Sequence, residues 1–155
     1  MNAITRREAA QLDAPQVQFQ LNGREVVGRL NEPLIEIARR EGIAIPHLCH
    51  KPGLTPAGNC RACVVEVAGE RTLAPSCCRT PTAGMKVSTD SERARKSQKL
   101  VLELLLADQA AEPRTRHDEV RQWADQLGVG APRFEARSQS TPDLSHPAIA
   151  VNLDA

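Results

Sequence analysis

The chain has 155 residues, of which 20 are basic and 19 are acidic, so its formal net charge is only +1. This balance gives no electrostatic case for binding nucleic acid or an anionic membrane, and two Phe and one Trp cannot form a stacking platform for single strands. The chain has neither an apolar run of transmembrane length nor a signal-peptide core, so we expect a cytoplasmic protein without a membrane span. Its length allows one domain, or a small domain with an appendage.

The first predicted elements form a β-hairpin. Residues 1–15 are polar and rich in Ala, without periodicity, which indicates a flexible leader. Residues 16–21 then alternate strictly between polar and apolar, the pattern of a half-buried strand. Asn22-Gly23 follows and is a strong hairpin signal, so residues 24–30 are predicted to return as the second strand.

A short helix and three further strands complete the predicted domain. Asn31 is a suitable N-cap, Pro33 would lie in the first turn, and Gly42 would end a helix of about ten residues. Beyond the cysteine loop, residues 63–67 alternate, residues 71–74 return after a turn, and residues 84–89 give a last strand. The order of elements predicts an α+β domain that ends near residue 90.

Two helices and a tail are predicted to follow this domain. Ser91 can cap a helix over residues 92–107, which is basic at first and rich in leucine afterwards, and we expect the leucine-rich part to meet a partner surface. Residues 116–127 carry Val120, Trp123 and Leu127 at helical spacing. The remainder, 129–155, contains several Pro and Ser residues without lasting periodicity, which is typical of a linker or of a segment lying on a partner.

Four of the five cysteines have the spacing C-x10-C-x2-C-x13-C. The four are Cys49, Cys60, Cys63 and Cys77. Four thiolates can hold a [2Fe–2S] cluster, a [4Fe–4S] cluster or a structural zinc. Two features favour an iron–sulfur cluster. The cysteine loop is rich in turns, so its backbone N–H groups can face cluster sulfides. The sequence also has only one C-x2-C pair, whereas a zinc ribbon more often has two. An odd number of cysteines, with four in one segment, indicates a reducing compartment.

Other residues near the cysteines are given simpler roles. Cys78 follows Cys77 directly, and since adjacent side chains of an extended strand face opposite sides, only one of the two thiols should reach a cluster. His47 and His50 are assigned to loop packing or hydrogen bonding, because Rieske-type ligation would need two histidines on one iron. Arg61 could adjust the potential of a cluster or could simply be solvated.

Three segments around the cysteines carry a resemblance to a known family. They are Ile45-Pro46-His47-Leu48-Cys49, Gly58-Asn59-Cys60-Arg61-Ala62-Cys63, and Ser76-Cys77 followed by Gly84-Met85. The chain from about residue 16 to 107 resembles the N-terminal [2Fe–2S] domain of the large iron–sulfur subunit of respiratory complex I and its relatives. The resemblance implies a β-grasp, ferredoxin-like fold and four cluster ligands: Cys49, Cys60, Cys63 and Cys77. The family places a Gly seven residues after the fourth ligand, which favours Cys77, although the Thr-Pro pair allows a count from Cys78.

Within that family the chain looks most like the α-subunit of NAD-dependent molybdenum formate dehydrogenases. The segments that carry this finer likeness include Gly69-Glu70-Arg71, Arg79-Thr80-Pro81, residues 103–109 and Trp123-Ala124-Asp125. Complex I homologues hold a further cluster with one His and three Cys, and no cysteine follows Cys78 here. The predicted organisation is a leader over 1–15, a [2Fe–2S] domain over 16–90, a helical segment over 91–128 without that cluster, and an extended linker over 129–155.

The resemblance implies one-electron transfer inside a larger oxidoreductase. Residues 146–155 look like the lead-in to a pair of [4Fe–4S] motifs, so the chain is expected to be the N-terminal piece of a subunit that also carries [4Fe–4S] clusters and molybdopterin. Its partners would be the rest of that subunit and a flavin- and NAD-binding diaphorase subunit. The alternatives are a module of an NAD-linked hydrogenase or of complex I, a stand-alone ferredoxin, and a zinc-stabilised interaction module. No catalytic acid–base pair or nucleophile is predicted.

Overall fold

The computed structural model describes residues 14–109, 117–135 and 141–151. Most of the predicted leader lies outside these residues. By its internal packing the chain divides into two compact units, Met1–Val101 and Leu102–Ala155, and each is described here by itself. The domain boundaries predicted near residues 15, 90 and 128 stay predictions.

The first unit is built on a five-stranded mixed sheet. Its strands are β1 (Gln16–Leu21), β2 (Arg24–Arg29), β3 (Val64–Val67), β4 (Ala74–Pro75) and β5 (Lys86–Ser88). They lie in the order β2-β1-β5-β3-β4, with β1 parallel to β5 and the other neighbours antiparallel. With helix α1 (Leu34–Arg40), this arrangement confirms the predicted α+β, ferredoxin-like fold class.

The first hairpin forms as predicted. Phe19 and Leu21 of β1 are buried, whereas the three glutamines of the strand are more exposed. Asn22 and Gly23 both have positive φ, 51° and 77°, which is the conformation of a two-residue turn between twisted strands. The Asn22 side chain also accepts a hydrogen bond from the Thr89 backbone N–H at 2.8 Å, so the turn is fastened to the end of β5.

Helix α1 is shorter than predicted. Pro33 has extended backbone angles, with ψ 144°, and stands at the N-cap position rather than in the first turn, so the helix has 7 residues. No side chain caps it, and the prediction of Asn31 as N-cap was therefore wrong. Gly42, with φ 75°, ends the helix as predicted. The apolar face of α1 is buried in the main core: Leu34, Ile35, Ile37 and Ala38.

The return strand after β3 was predicted over residues 71–74, but the structure forms only β4, Ala74–Pro75. It pairs with Val64 and Val65 at the edge of the sheet. Pro75 has no N–H to continue a ladder, which limits the strand to this edge position. Because the strand is so short, the chain turns immediately after it, and that turn carries two cysteines.

Helix α2 (Glu92–Asp108) starts at the predicted cap, since the Ala94 backbone N–H donates to Ser91 Oγ at 3.1 Å. Its first residues belong to the first unit. There the buried side chain of Gln98 donates through Nε2 to the carbonyl oxygens of Val64, at 2.9 Å, and Thr89, at 3.3 Å. This amide ties α2 to the strand that begins beside the cysteines.

The second unit contains the end of α2, helix α3 (Glu119–Leu127) and a small hairpin. Helix α3 begins three residues later than predicted and is capped by Asp118, which accepts from Arg121 N–H at 3.1 Å. The tail was predicted to lack secondary structure, but strands β6 (Asp143–His146) and β7 (Ile149–Val151) pair antiparallel within it. Their Ser- and Pro-containing sequence gives little periodicity to detect. Among the described residues no helix is long and apolar enough to cross a membrane.

Candidate metal centre

The loop before β3 brings the first two predicted ligands together. Cys49 and Cys60 are half-buried, and their Sγ atoms are 3.3 Å apart. Desolvation alone would raise the pKa of Cys49. Hydrogen bonds from the backbone N–H groups of Cys60, Asn59 and Gly58, together with the Cys60 thiol, outweigh that effect and lower the pKa below its usual value. Loop N–H groups thus face the Cys49 sulfur, and their predicted orientation toward cluster sulfides stays a prediction.

The second pair of predicted ligands lies in the core. Cys63 comes directly before β3 and Cys77 follows β4, and both side chains are buried. The Ser76 backbone N–H and Oγ both donate to the Cys63 carbonyl oxygen, at 3.1 Å and 2.7 Å, which holds the two segments together. Burial first, and then the neighbouring thiols of Cys63 and Cys78, raise the pKa of Cys77. Binding a cation here would release the Cys77 proton.

The prediction that Cys77 and Cys78 lie in an extended strand was wrong, whereas the prediction that only one of the two thiols reaches a cluster stays a prediction. Cys77 and Cys78 do not lie in an extended strand; the N–H groups of Cys78 and Arg79 both donate to the Pro75 carbonyl oxygen at 3.0 Å, which closes a tight turn. In this turn the two Sγ atoms are 3.5 Å apart. Cys77 is fully buried and Cys78 is exposed.

Three residues of the cysteine loop adopt the left-handed backbone conformation: Gly53, Gly58 and Arg61. Gly58 has φ 67°, and a Cβ atom there would stand 2.9 Å from Cys78 Sγ, so the fifth sulfur packs against the loop that carries Cys49 and Cys60. Arg61, between two predicted ligands, has φ 58°. A non-glycine residue in this region is uncommon and is concentrated at sites where the surrounding structure fixes the backbone. The side chain of Arg61 is exposed.

From the sequence, His50 is expected only to pack in the loop or to form a hydrogen bond. The structure shows the partner of this hydrogen bond, Glu36. His50 is buried, and its Nε2 lies 2.6 Å from Glu36 Oε1 on α1. Glu36 also pairs with Arg39 at 2.7 Å. The contact joins the residue next to Cys49 to the helix that covers the sheet. Glu36 is fourteen positions away in sequence, so no local pattern points to it.

The four predicted ligand thiols are arranged as two pairs, and this arrangement suits a [2Fe–2S] cluster better than a structural zinc ion. In a [2Fe–2S] centre with four cysteines each iron takes two protein ligands, whereas a structural zinc takes all four. Cys49 with Cys60 and Cys63 with Cys77 supply two such pairs. The donor set and its pairing therefore fit a two-iron cluster.

Comparison with protein families gives the same assignment. A family described as a 2Fe-2S iron-sulfur cluster binding domain matches residues 14–92. The match includes the five strands of the mixed sheet, β1 to β5, together with helix α1 and all five cysteines.

Similar proteins are named as an oxidoreductase subunit and as a formate dehydrogenase. The mitochondrial NADH-ubiquinone oxidoreductase 78 kDa subunit of Candida albicans is 38% identical over 91 residues, which are 59% of this chain and 13% of that protein. A Bacillus subtilis protein named "Putative formate dehydrogenase YrhE" is 23% identical over 145 residues, covering 88% of this chain and 15% of that protein. The chain thus spans a small fraction of the length of these relatives.

A solved structure is also similar. A chain of the crystal structure of NAD+-reducing [NiFe]-hydrogenase in the H2-reduced state aligns with a TM-score of 0.71 and 29% identity. The alignment covers 84% of the present chain and 57% of the hydrogenase chain.

Proposed function

Because the chain belongs to the family of 2Fe-2S iron-sulfur cluster binding domains, we propose that four of its cysteines hold one [2Fe–2S] cluster: Cys49, Cys60, Cys63 and Cys77. The observation that carries this ligand set is the pairing of the thiols, with Cys49 and Cys60 at 3.3 Å and Cys63 beside the buried Cys77. Such a cluster, when bound, accepts and releases one electron at a time.

The protein's own residues would supply position and environment for the cluster. The N–H groups of residues 58–60 already stabilise a thiolate at Cys49. Burial of Cys63 and Cys77 in the core keeps water away from one pair, and the Glu36–His50 contact fixes the chain beside the other. Hydrogen bonds to sulfur, burial and nearby charge are the features through which a protein sets the potential of such a centre.

The spectrum of the isolated chain tests the cluster proposal. After anaerobic purification, we expect broad visible absorption that bleaches on reduction with dithionite, together with a rhombic S = 1/2 EPR signal in the reduced state. Quantification should give two irons and two acid-labile sulfides per chain. A colourless protein that contains zinc would overturn the proposal and leave a structural interaction module.

The larger assignment is an electron-transfer module in an NAD-linked formate dehydrogenase of the molybdenum type. It is supported by the 88% coverage of this chain in the match to the Bacillus subtilis protein named for formate dehydrogenase, and by the segments outside the cysteine region that resemble that branch. In this assignment the parent subunit also carries [4Fe–4S] clusters and molybdopterin, a flavin- and NAD-binding subunit is a partner, and the complex is cytoplasmic.

A module of an NAD-linked hydrogenase or of a complex I type enzyme is the second candidate. It is favoured by the TM-score of 0.71 to the hydrogenase chain and by the 38% identity to the 78 kDa NADH-ubiquinone oxidoreductase protein. Reduction of the complete complex, purified through a tag on this chain, separates the two candidates. Formate should elicit the EPR signal of the [2Fe–2S] centre in the first assignment. A signal elicited by NADH or hydrogen but never by formate would favour the second.

A further inference from the structure

The turn after β4 holds two thiols side by side. Its backbone is closed by the hydrogen bonds from Cys78 and Arg79 to the Pro75 carbonyl oxygen. This closure places the Sγ atoms of Cys77 and Cys78 3.5 Å apart, a separation similar to the 3.3 Å between Cys49 and Cys60. Cys78 is therefore nearly as close to a proposed ligand as two proposed ligands are to each other.

Cys78 also touches the loop on the other side of the site. The position that a Gly58 Cβ would take is 2.9 Å from Cys78 Sγ, closer than real Cβ contacts come. Gly58 lies two residues before Cys60, and its N–H is among the groups that lower the pKa of Cys49. The sulfur of Cys78 thus lies between the turn that holds Cys77 and the loop that holds the first two cysteines.

The two neighbouring thiols differ in their access to solvent. Cys77 has 0% of its surface exposed, whereas Cys78 is exposed. A cluster held through Cys77 would have a buried fourth ligand, and one held through Cys78 would have a fourth ligand open to water. The exchange would need little change of the backbone, because the two sulfurs are already neighbours at 3.5 Å.

We propose that Cys78 is a second position for the fourth ligand of the cluster, able to replace Cys77. The inference rests on the proposed function. In the exchange Cys78 gives up its thiol proton and bonds to iron, while Cys77 releases iron and takes up a proton. One Fe–S bond forms and one breaks, so the oxidation state of the cluster and the net proton count are unchanged.

Four variants of the whole chain test the proposal by spectroscopy and iron content. They are C77A, C78A, the double variant C77A/C78A and the matched control C63A. Cys63 is buried beside Cys77, with 1% exposure, and no further cysteine neighbours it in sequence, so its removal takes a ligand without offering a substitute. Far-UV circular dichroism of each variant separates loss of a ligand from loss of fold.

We expect C78A to keep the wild-type absorption and EPR spectra. C77A should keep most of its iron and its visible colour, with shifted g values and with iron loss to a chelator about tenfold faster than in the wild type, because its fourth ligand is exposed. The double variant and C63A should lose the colour. A colourless but folded C77A would overturn the proposal. So would a C78A variant that loses its cluster while C77A retains the wild-type spectrum, since Cys78 would then be the resident ligand.

The wild-type spectrum distinguishes failure of the proposed function from failure of the proposed exchange between Cys77 and Cys78. If the unmodified chain shows no [2Fe–2S] signals, the proposed function fails before the variants are compared. If the wild type is loaded, only the comparison of C77A with C63A and with the double variant decides the role of Cys78. Alkylation of the loaded wild type adds an independent measurement: mass spectrometry should find Cys78 modified and the four resident ligands protected.

Discussion

Gly58 and Gly53 both hold positive φ, 67° and 82°, in the cysteine loop, but only Gly58 faces another atom closely. Replacement by Ala at either position places a side chain in the left-handed region, at a cost of about 1–2 kcal/mol. At Gly58 the new Cβ would also press against Cys78 Sγ. At Gly53 nothing lies within 4 Å of the new atom. Comparison of G58A with G53A therefore separates the effect of crowding from that of backbone strain.

We expect G58A to lower the free energy of unfolding more than G53A and to reduce iron occupancy, since the crowding acts on the turn that holds Cys77. Urea unfolding followed by circular dichroism, with iron analysis of each variant, measures both effects. Equal losses in the two variants would mean that Cys78 moves aside freely and that its packing against the loop does not matter.

At the scale of elements, Gln98 connects helix α2 to the sheet. Strand β5 ends at Ser88, which lies opposite Glu66 of β3. The pairing between β3 and β5 therefore stops before it reaches Val64. The Val64 carbonyl oxygen accepts a hydrogen bond from the Gln98 side-chain amide instead. The variant Q98L leaves this buried carbonyl without that donor, which should cost about 1–3 kcal/mol of stability. Chemical unfolding is the measurement, and Q122L, at an exposed position of α3, is the control. A Q98L variant as stable as Q122L would show that α2 needs no such tie.

A second connection between elements lies within the other unit. The Arg133 Nε and NH2 groups donate to the two carboxylate oxygens of Glu103 at 2.7 Å and 2.8 Å, and the Arg133 backbone N–H adds a bond at 2.9 Å. The side-chain hydrogen bonds from Arg133, followed by the backbone one, lower the pKa of Glu103 to about 2. The segment after α3 is therefore held to α2 by a carboxylate that must stay ionised.

The pH dependence of stability follows from this pKa. An unfolded Glu titrates at about 4.3, so the contribution of Glu103 is present above that pH and is lost as the pH falls toward 2. We expect the wild type to melt at a higher temperature than E103Q above pH 5, and the difference to shrink between about pH 4 and pH 2. A difference between wild type and E103Q that stays constant over this range would contradict the assignment. E135Q, at an exposed position, should show no such convergence.

At the scale of the whole molecule, the first unit combines a modest core with a metal site. Because a cluster binds the folded site and not the unfolded chain, its free energy of binding adds to stability. Removal of iron by a chelator under anaerobic conditions should lower the melting temperature followed by far-UV circular dichroism. C63A, which we expect to hold no cluster, serves as the control and should melt at the same temperature with and without chelator. A wild type whose melting is unaffected by complete iron loss would show that the fold forms independently of the cluster.

Several features of the fold and of the centre could be predicted from the sequence because they depend on neighbouring residues. The alternation in β1, the turn at Asn22-Gly23 and the end of α1 at Gly42 are local patterns with local causes. The cysteine spacing is likewise a property of the sequence, and with the resemblance around it, it predicted a 2Fe-2S domain, which the family match confirms. The identity of the four ligands remains a prediction.

Other features were decided only by the tertiary structure, because they join residues distant in sequence or depend on how the chain turns. Glu36 meets His50 because α1 and the cysteine loop pack together. Cys78 lies beside Cys77 because β4 is cut short at Pro75 and the chain turns there, whereas an extended strand would have separated the two thiols. The number and spacing of the thiols belong to the sequence. Their arrangement as two pairs with a fifth sulfur alongside is a result of packing. No local pattern in the sequence shows that the loop carrying Cys49 and Cys60 meets the turn after β4.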